Sequence, residues 1–159
     1  MRLTQVTAAG LMLVVAGGLV MGTLGGCATT GGGQSEAGVR SRLAGEWTLK
    51  SVDGRAVSLP AGGGERGGPT LQFDEGFSRA AGLAGVNRYS AALDATGLDQ
   101  GKLKFGPAIA TRMAGPPELM RLETDFLGML DKVDGWTLSQ DGRTLTLTAG
   151  GKPGLVFSR

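Results

Sequence analysis

The chain has 159 residues, 41% of them apolar, with 30 Gly, 16 basic against 14 acidic residues, one Cys and no His. That is enough for one domain. Without His there can be no imidazole metal site, Ser-His-Asp triad or Cys-His dyad, and one thiol cannot supply an intramolecular disulfide, a Cys-based zinc site or an iron–sulfur cluster. A net charge of +2 lacks the basic stripe that neutralises nucleic-acid phosphates, so composition points to a protein without cofactor, metal or nucleic-acid partner and leans away from an enzyme.

Residues 1–5 carry one Arg and no acid and precede an apolar run from Val6 to Val20, the n-region and h-region layout of an export signal. The run closes on Leu24-Gly25-Gly26-Cys27, the aliphatic-small-small-Cys pattern of the bacterial lipobox. Its apolar length approaches the ~20 residues of a membrane-spanning helix, but its glycines weaken such a helix and the small-small-Cys ending favours cleavage. The sequence therefore predicts a lipoprotein signal peptide over 1–26 and lipid attachment at Cys27. At ~0.8 kcal/mol per buried CH₂, two or three acyl chains hold a protein on a membrane where one would not. Ala28 stands where an Asp tends to retain Gram-negative lipoproteins at the inner membrane, which points to the outer membrane, facing the periplasm. Residues 27–42 begin in a small, polar stretch that reads as a flexible tether.

Short strand-like pieces follow. Glu46-Trp47-Thr48-Leu49-Lys50 alternates, and Val52 to Val57 contains an Asp53-Gly54 hairpin signal. Residues 60–69 form a Gly-rich stretch with no Gly-Lys-Ser/Thr after it, which reads as a hairpin loop rather than a phosphate cradle. Leu71-Gln72-Phe73, Leu103-Lys104-Phe105 and Trp136-Thr137-Leu138 alternate again. The clearest strand is Thr144-Leu145-Thr146-Leu147-Thr148, with a Thr face and a Leu face, and Leu155-Val156-Phe157 comes last. One segment is helical. From Pro116 to Val133, Leu119, Leu122, Phe126, Met129, Leu130 and Val133 recur at steps of three or four. Pro116-Pro117 suits a first turn and Asp134-Gly135 ends the helix. Its other face carries Arg121, Glu123, Asp125, Asp131 and Lys132, which reads as a solvated face. The fold class is mainly β, formally α+β: a small antiparallel meander or barrel-like sheet with one amphipathic helix packed against it.

Gly82-Leu83-Ala84-Gly85-Val86-Asn87-Arg88-Tyr89, then Leu103-Lys104-Phe105-Gly106, then Thr111-Arg112-Met113-Ala114-Gly115-Pro116-Pro117, resembles the META domain of HslJ-like heat-shock lipoproteins over a domain spanning 43–159. The family pattern is roughly Gly-Cys-Asn-Arg followed by Thr-Arg/Lys-Met-Ala-Cys-Pro, after a Trp-x-Leu strand like Trp47-Thr48-Leu49. The resemblance implies a small β-rich envelope domain with one helix, in a family tied to heat shock, novobiocin resistance and motility or virulence, and it carries over no catalytic residues. Both family Cys positions differ, being Val86 and Gly115 here. Their joint loss is what a disulfide between them in relatives implies, since one left alone would be an orphan thiol.

The conspicuous polar group is Asn87-Arg88 with Arg112. Two guanidiniums at one barrel mouth suit a carboxylate or phosphate. The competing structural reading has Asn87 in turn chemistry or capping backbone, and Arg88 and Arg112 paired with Asp74, Asp94 or Glu123. Asp74-Glu75 and Asp131 with Asp134 lack the spacing of a calcium loop. The expectation is a non-enzymatic envelope lipoprotein that supports stress or drug tolerance through an envelope protein. The alternatives are a barrel holding a small ligand, an inhibitor of a host enzyme such as lysozyme, and, ranked last, a hydrolase using a carboxylate pair.

Overall fold

The computed structural model describes residues 35–59 and 68–159. Cys27, the signal segment and most of the Gly-rich stretch lie outside the described residues. Among the described residues there are two α-helices, α1 (Glu36–Leu43) and α2 (Pro117–Leu130), and ten strands: β1 (Glu46–Val52), β2 (Arg55–Ala56), β3 (Thr70–Phe73), β4 (Arg79–Leu83), β5 (Arg88–Asp94), β6 (Lys104–Phe105), β7 (Ile109–Ala110), β8 (Gly135–Leu138), β9 (Thr144–Ala149) and β10 (Lys152–Ser158). They form one antiparallel sheet in the order β6-β5-β4-β3-β1-β10-β9-β8, with β2 beside β1 and β7 beside β5. The sheet is open, but its two ends approach. Lys102, just before β6, bridges Gly135 at the start of β8, and the Trp136 amide donates to the Gly101 carbonyl at 2.9 Å.

The alternating sequences behave as their period requires. Trp47 and Leu49 in β1, Leu145 and Leu147 in β9, and Leu155 and Phe157 in β10 are buried, and the threonines of β9 take the other face. Asp53 and Gly54 have φ of 49° and 74°, the two positive values that a tight I′ hairpin needs, and they join β1 to β2. In α2, Pro117 takes the first position, where a missing N–H costs nothing. The helix then lays Phe126 and Leu130 on the sheet. Phe126 meets the Tyr89 ring edge-on at 5.3 Å and the Phe157 ring at 6.3 Å. The helix comes close over β10 at Gly154, where an added Cβ would lie 2.9 Å from the Met129 sulfur.

Three parts of the fold differ from the sequence expectation. Residues 36–42, expected as tether, belong to helix α1. Ser35 caps α1, Glu36 pairs with Arg40 at 2.6 Å, and Val39 and Leu43 are buried. Two buried side chains one turn apart, not composition, hold this segment in place. β4 and β5 had no expected strand because Arg79-Ala80-Ala81-Gly82-Leu83 and Ser90-Ala91-Ala92 are poor in β-branched residues. The ladder still forms over five pairs, from Arg79–Ala92 to Leu83–Arg88. The small residues permit close approach: a Cβ on Gly82 would lie 2.2 Å from the Thr70 carbonyl oxygen. The third difference is Glu123, assigned to the solvated face of α2, which is 7% exposed.

Because Phe126 links α2 to β5 and β10, Phe126→Ala is expected to cost ~3–5 kcal/mol. Urea unfolding followed by circular dichroism measures it, with exposed Thr124→Ala shifting the midpoint far less.

Candidate functional site

The three motif residues come together at one end of the sheet, where the β4–β5 turn, the segment after β7 and the middle of α2 meet. The turn is tight: the Ala84 amide donates to the Asn87 carbonyl at 2.8 Å. It also sits close on the helix, since a Cβ at Gly85 would lie 2.8 Å from the Leu119 carbonyl oxygen and 3.2 Å from Glu123 Cβ. Glycine there lets the turn reach the carboxyl group of Glu123.

Asn87 is 1% exposed and every polar atom of its side chain is used. Its Nδ2 donates to Glu123 Oε1 at 2.9 Å and to the Met113 carbonyl at 3.1 Å. Its Oδ1 accepts from the Met113 amide at 2.7 Å and the Thr111 hydroxyl at 2.8 Å. Glu123 Oε2 in turn accepts from the amides of Asn87 at 2.8 Å and Val86 at 3.1 Å. A buried polar side chain is tolerated when its hydrogen bonds are made. Here they tie a turn, a strand end and a helix together. Asn87 therefore caps backbone, as the structural reading expected, and has no free atom to offer a ligand.

The arginines are placed differently from that reading. The Arg88 amide donates to the Thr111 hydroxyl at 3.2 Å and its carbonyl accepts from the Thr111 amide at 3.0 Å, so its backbone belongs to the β5–β7 seam. Among the described residues no carboxylate lies within ion-pair distance of Arg88 or Arg112. The named acids have other partners. Asp74 accepts from the Ser78 hydroxyl at 2.7 Å, the Ser78 amide at 2.8 Å and the Arg79 amide at 2.9 Å, and these bonds, the hydroxyl first, hold its carboxyl below the usual range. Asp94 is lowered chiefly by the Thr96 amide, and Glu123 is taken by Asn87. Asp134 accepts from the Gly150 amide at 2.8 Å. Tyr89 is buried, with its hydroxyl on the Thr70 carbonyl at 3.1 Å, and burial pushes its phenol pKa up.

Arg88 lines a surface cleft of about 320 Å³ with Glu46, Thr70, Gln72 and Gly82 on the outer side of the sheet. A second cleft of about 330 Å³ lies between β2 and α2, lined by Arg55, Arg121, Glu118 and Asp125, with Arg55 on Asp125 at 3.7 Å. The inner side is filled: Trp47, Leu71, Phe126, Leu145, Leu147 and Phe157 have no exposure. Glu123 is the one structural residue of this site that the sequence reading misplaced. Its signal was present in the Gly-x-Asn turn, whose buried donors require an acceptor, but the acceptor lies 36 positions away.

Val86 and Gly115 stand face to face beside this network. A Cβ on Gly115 would lie 3.2 Å from Val86 Cβ and 2.4 Å from Val86 Cγ2. The first distance is within a few tenths of an ångström of the ~3.5–4.5 Å that a disulfide spans. The valine methyl groups occupy the space in front of Gly115.

With the two motifs placed in one constellation, the model of the META domain matches residues 41–159. The chain belongs to the META domain family. An NMR structure of a protein from Burkholderia xenovorans shares 28% identity and superimposes with a TM-score of 0.56, covering 77% of this chain and 86% of the other. A second NMR structure, at 24% identity and a TM-score of 0.54, covers 76% and 92% and bears on the fold alone. Among proteins of curated function none matches this META domain chain.

Three outcomes are expected for this META domain. Asn87→Ala strands the Met113 amide and carbonyl and removes the side-chain donor to Glu123, so it should cost ~2–4 kcal/mol, read from chemical denaturation. Gly115→Cys alone should destabilise by collision with Val86. Val86→Cys with Gly115→Cys should instead oxidise, and reductant should then lower Tm by an amount matching ~2–4 kcal/mol.

Proposed function

We propose that this protein is an exported envelope lipoprotein, anchored through Cys27 at the outer membrane and facing the periplasm, whose META domain acts without catalysis by binding through its surface. Envelope stress or drug tolerance is the process it supports, with an envelope protein as partner. The observation that carries the binding mode is the filled interior: with Trp47, Phe126 and Phe157 fully buried, a ligand inside the sheet would have to displace core aromatic side chains. Contacts therefore fall to the outer face and edges.

The non-enzymatic part of the proposal draws on where the polar groups are spent. Asn87 and Glu123 are saturated by each other and by backbone. The carboxyl groups of Asp74 and Asp134 are occupied by turn amides. Glu118 and Asp125 share a cleft, but they sit two helical turns apart, ~10 Å of rise, and Asp125 faces Arg55. A hydrolase needs two converging carboxyl groups at ~5–9 Å. The anchor draws on the Leu24-Gly25-Gly26-Cys27 motif alone.

Cells expressing the wild type are expected to incorporate an alkyne fatty-acid analogue into the protein, and Cys27→Ser to abolish the label and accumulate unprocessed precursor. Persistent labelling of Cys27→Ser would remove the lipoprotein proposal.

A further inference from the structure

β7 (Ile109–Ala110) and the segment that follows it to Met113 run along β5 and the Asn87 turn at the edge of the sheet. Ser90 pairs with Ile109, Thr111 donates its amide to the Arg88 carbonyl, and the Met113 amide donates to Asn87 Oδ1. Residues 109, 111 and 113 therefore turn their backbone toward β5 and the Asn87 turn. Period-two alternation turns the amides of Ala110 and Arg112 the other way. Among the described residues no strand lies beyond β7, and no hydrogen bond reaches either amide. An unpaired edge is a template for another strand.

The side chains along this edge do not protect it. Ile109 is 79% exposed and Met113 50%, the two most exposed large apolar side chains of the described residues. Arg88, on the neighbouring strand, and Arg112 stand beside them with no carboxylate in ion-pair range among the described residues. Edges are blunted by shortness, charge, proline or bulges; β7 is only two residues long and Arg112 is charged, but the backbone bonding continues through Thr111 and Met113 and Ile109–Met113 holds no proline. Two apolar side chains four positions apart, with Thr111 and two outward amides between them and guanidiniums without an ion pair at the flank, make the pattern of a strand-addition site.

We propose that the Ile109–Met113 edge binds an extended acidic segment of a protein partner, which adds as a further strand beside β7. The partner's backbone carbonyls meet the amides of Ala110 and Arg112, its alternate apolar side chains cover Ile109 and Met113, and its carboxylates face Arg88 and Arg112. This rests on the reading of the domain as a binding module and names the surface and the chemistry of what it binds. A bilayer is the weaker occupant, because backbone amides buried in hydrocarbon without partners are costly. A second copy is weaker too, because a β7–β7 seam gathers the arginines of both copies along one line.

The test uses the full-length chain in detergent and two fluorescein-labelled ten-residue peptides, alternating Val with Glu or Val with Lys, read by anisotropy. The Val-Glu peptide should bind and the Val-Lys peptide should not. Ala110→Pro removes one outward amide while leaving the bonds of Ile109 and Thr111 to β5, so it should weaken binding at least tenfold with Tm unchanged. Arg88→Glu with Arg112→Glu should exchange the preference between the peptides. Binding of the Val-Glu peptide that is undiminished in Ala110→Pro would overturn the edge but leave a binding module acting elsewhere, for example at the cleft between β2 and α2. No binding of either peptide would also overturn it. A concentration-dependent dimer abolished by Ala110→Pro, seen in sedimentation, would assign the edge to a second copy. An Ile109→Cys probe carrying an environment-sensitive dye in the Cys27→Ser chain would assign it to lipid if its emission rose in phosphatidylglycerol nanodiscs.

Discussion

A carboxyl group buried between a helix and a turn organises this domain. Glu123 lies on a helix whose apolar stripe faces the sheet, and it is held there because the Val86 and Asn87 amides and the Asn87 side chain all donate to it. Burying a carboxyl group is costly unless its hydrogen bonds are made. The position of α2, the shape of the β4–β5 turn and the path of the chain after β7 are therefore coupled. Moving any one of them strands polar atoms on the other two, which gives this end of the sheet a single arrangement rather than a family of similar ones.

The rest of the fold hangs from that junction by ordinary packing. Phe126, one turn along from Glu123, bridges Tyr89 and Phe157, so the polar lock and the apolar core are set by the same helix. At the opposite end, the 3₁₀ turn at Leu98–Gln100 accepts the Trp136 indole N–H on the Leu98 carbonyl at 3.1 Å, and the bridge from Lys102 to Gly135 draws the two sheet ends together. The interior is closed by side chains, and what the described residues offer to others is their outer face, their clefts and unpaired edges such as that of β7.

Where side-chain pattern and local chemistry agree, the fold was legible. The Thr-Leu alternation of residues 144–148, the Asp53-Gly54 turn and the stripe of α2 each specify one structure through neighbours close in sequence. β4 and β5 were not legible, because alanine, glycine and serine carry little strand preference, although Gly82 suits the close approach to Thr70 across the sheet. Glu123 read as solvated for a related reason: helical period assigns a face, and only a turn 36 positions earlier reveals that this acid is drawn inward. The motif residues were found by their resemblance to a family and Asn87 was assigned its capping role, but the ion pairs expected of Arg88 and Arg112 do not form, since each acid named for them is taken by nearer amides or hydroxyls. α1 escaped because Val39 and Leu43 are two apolar residues in a polar segment, too few to set a period.

The contact between Val86 and Gly115 gives the domain chemical independence. A cross-link at this place would make the junction depend on an oxidant during folding and on the thiol–disulfide poise of its surroundings afterwards. Valine methyl groups seated against a glycine need neither. The turn that carries Asn87 closes on the residues before α2 by shape and hydrogen bonds, without electron transfer, and holds equally well under reducing and oxidising conditions.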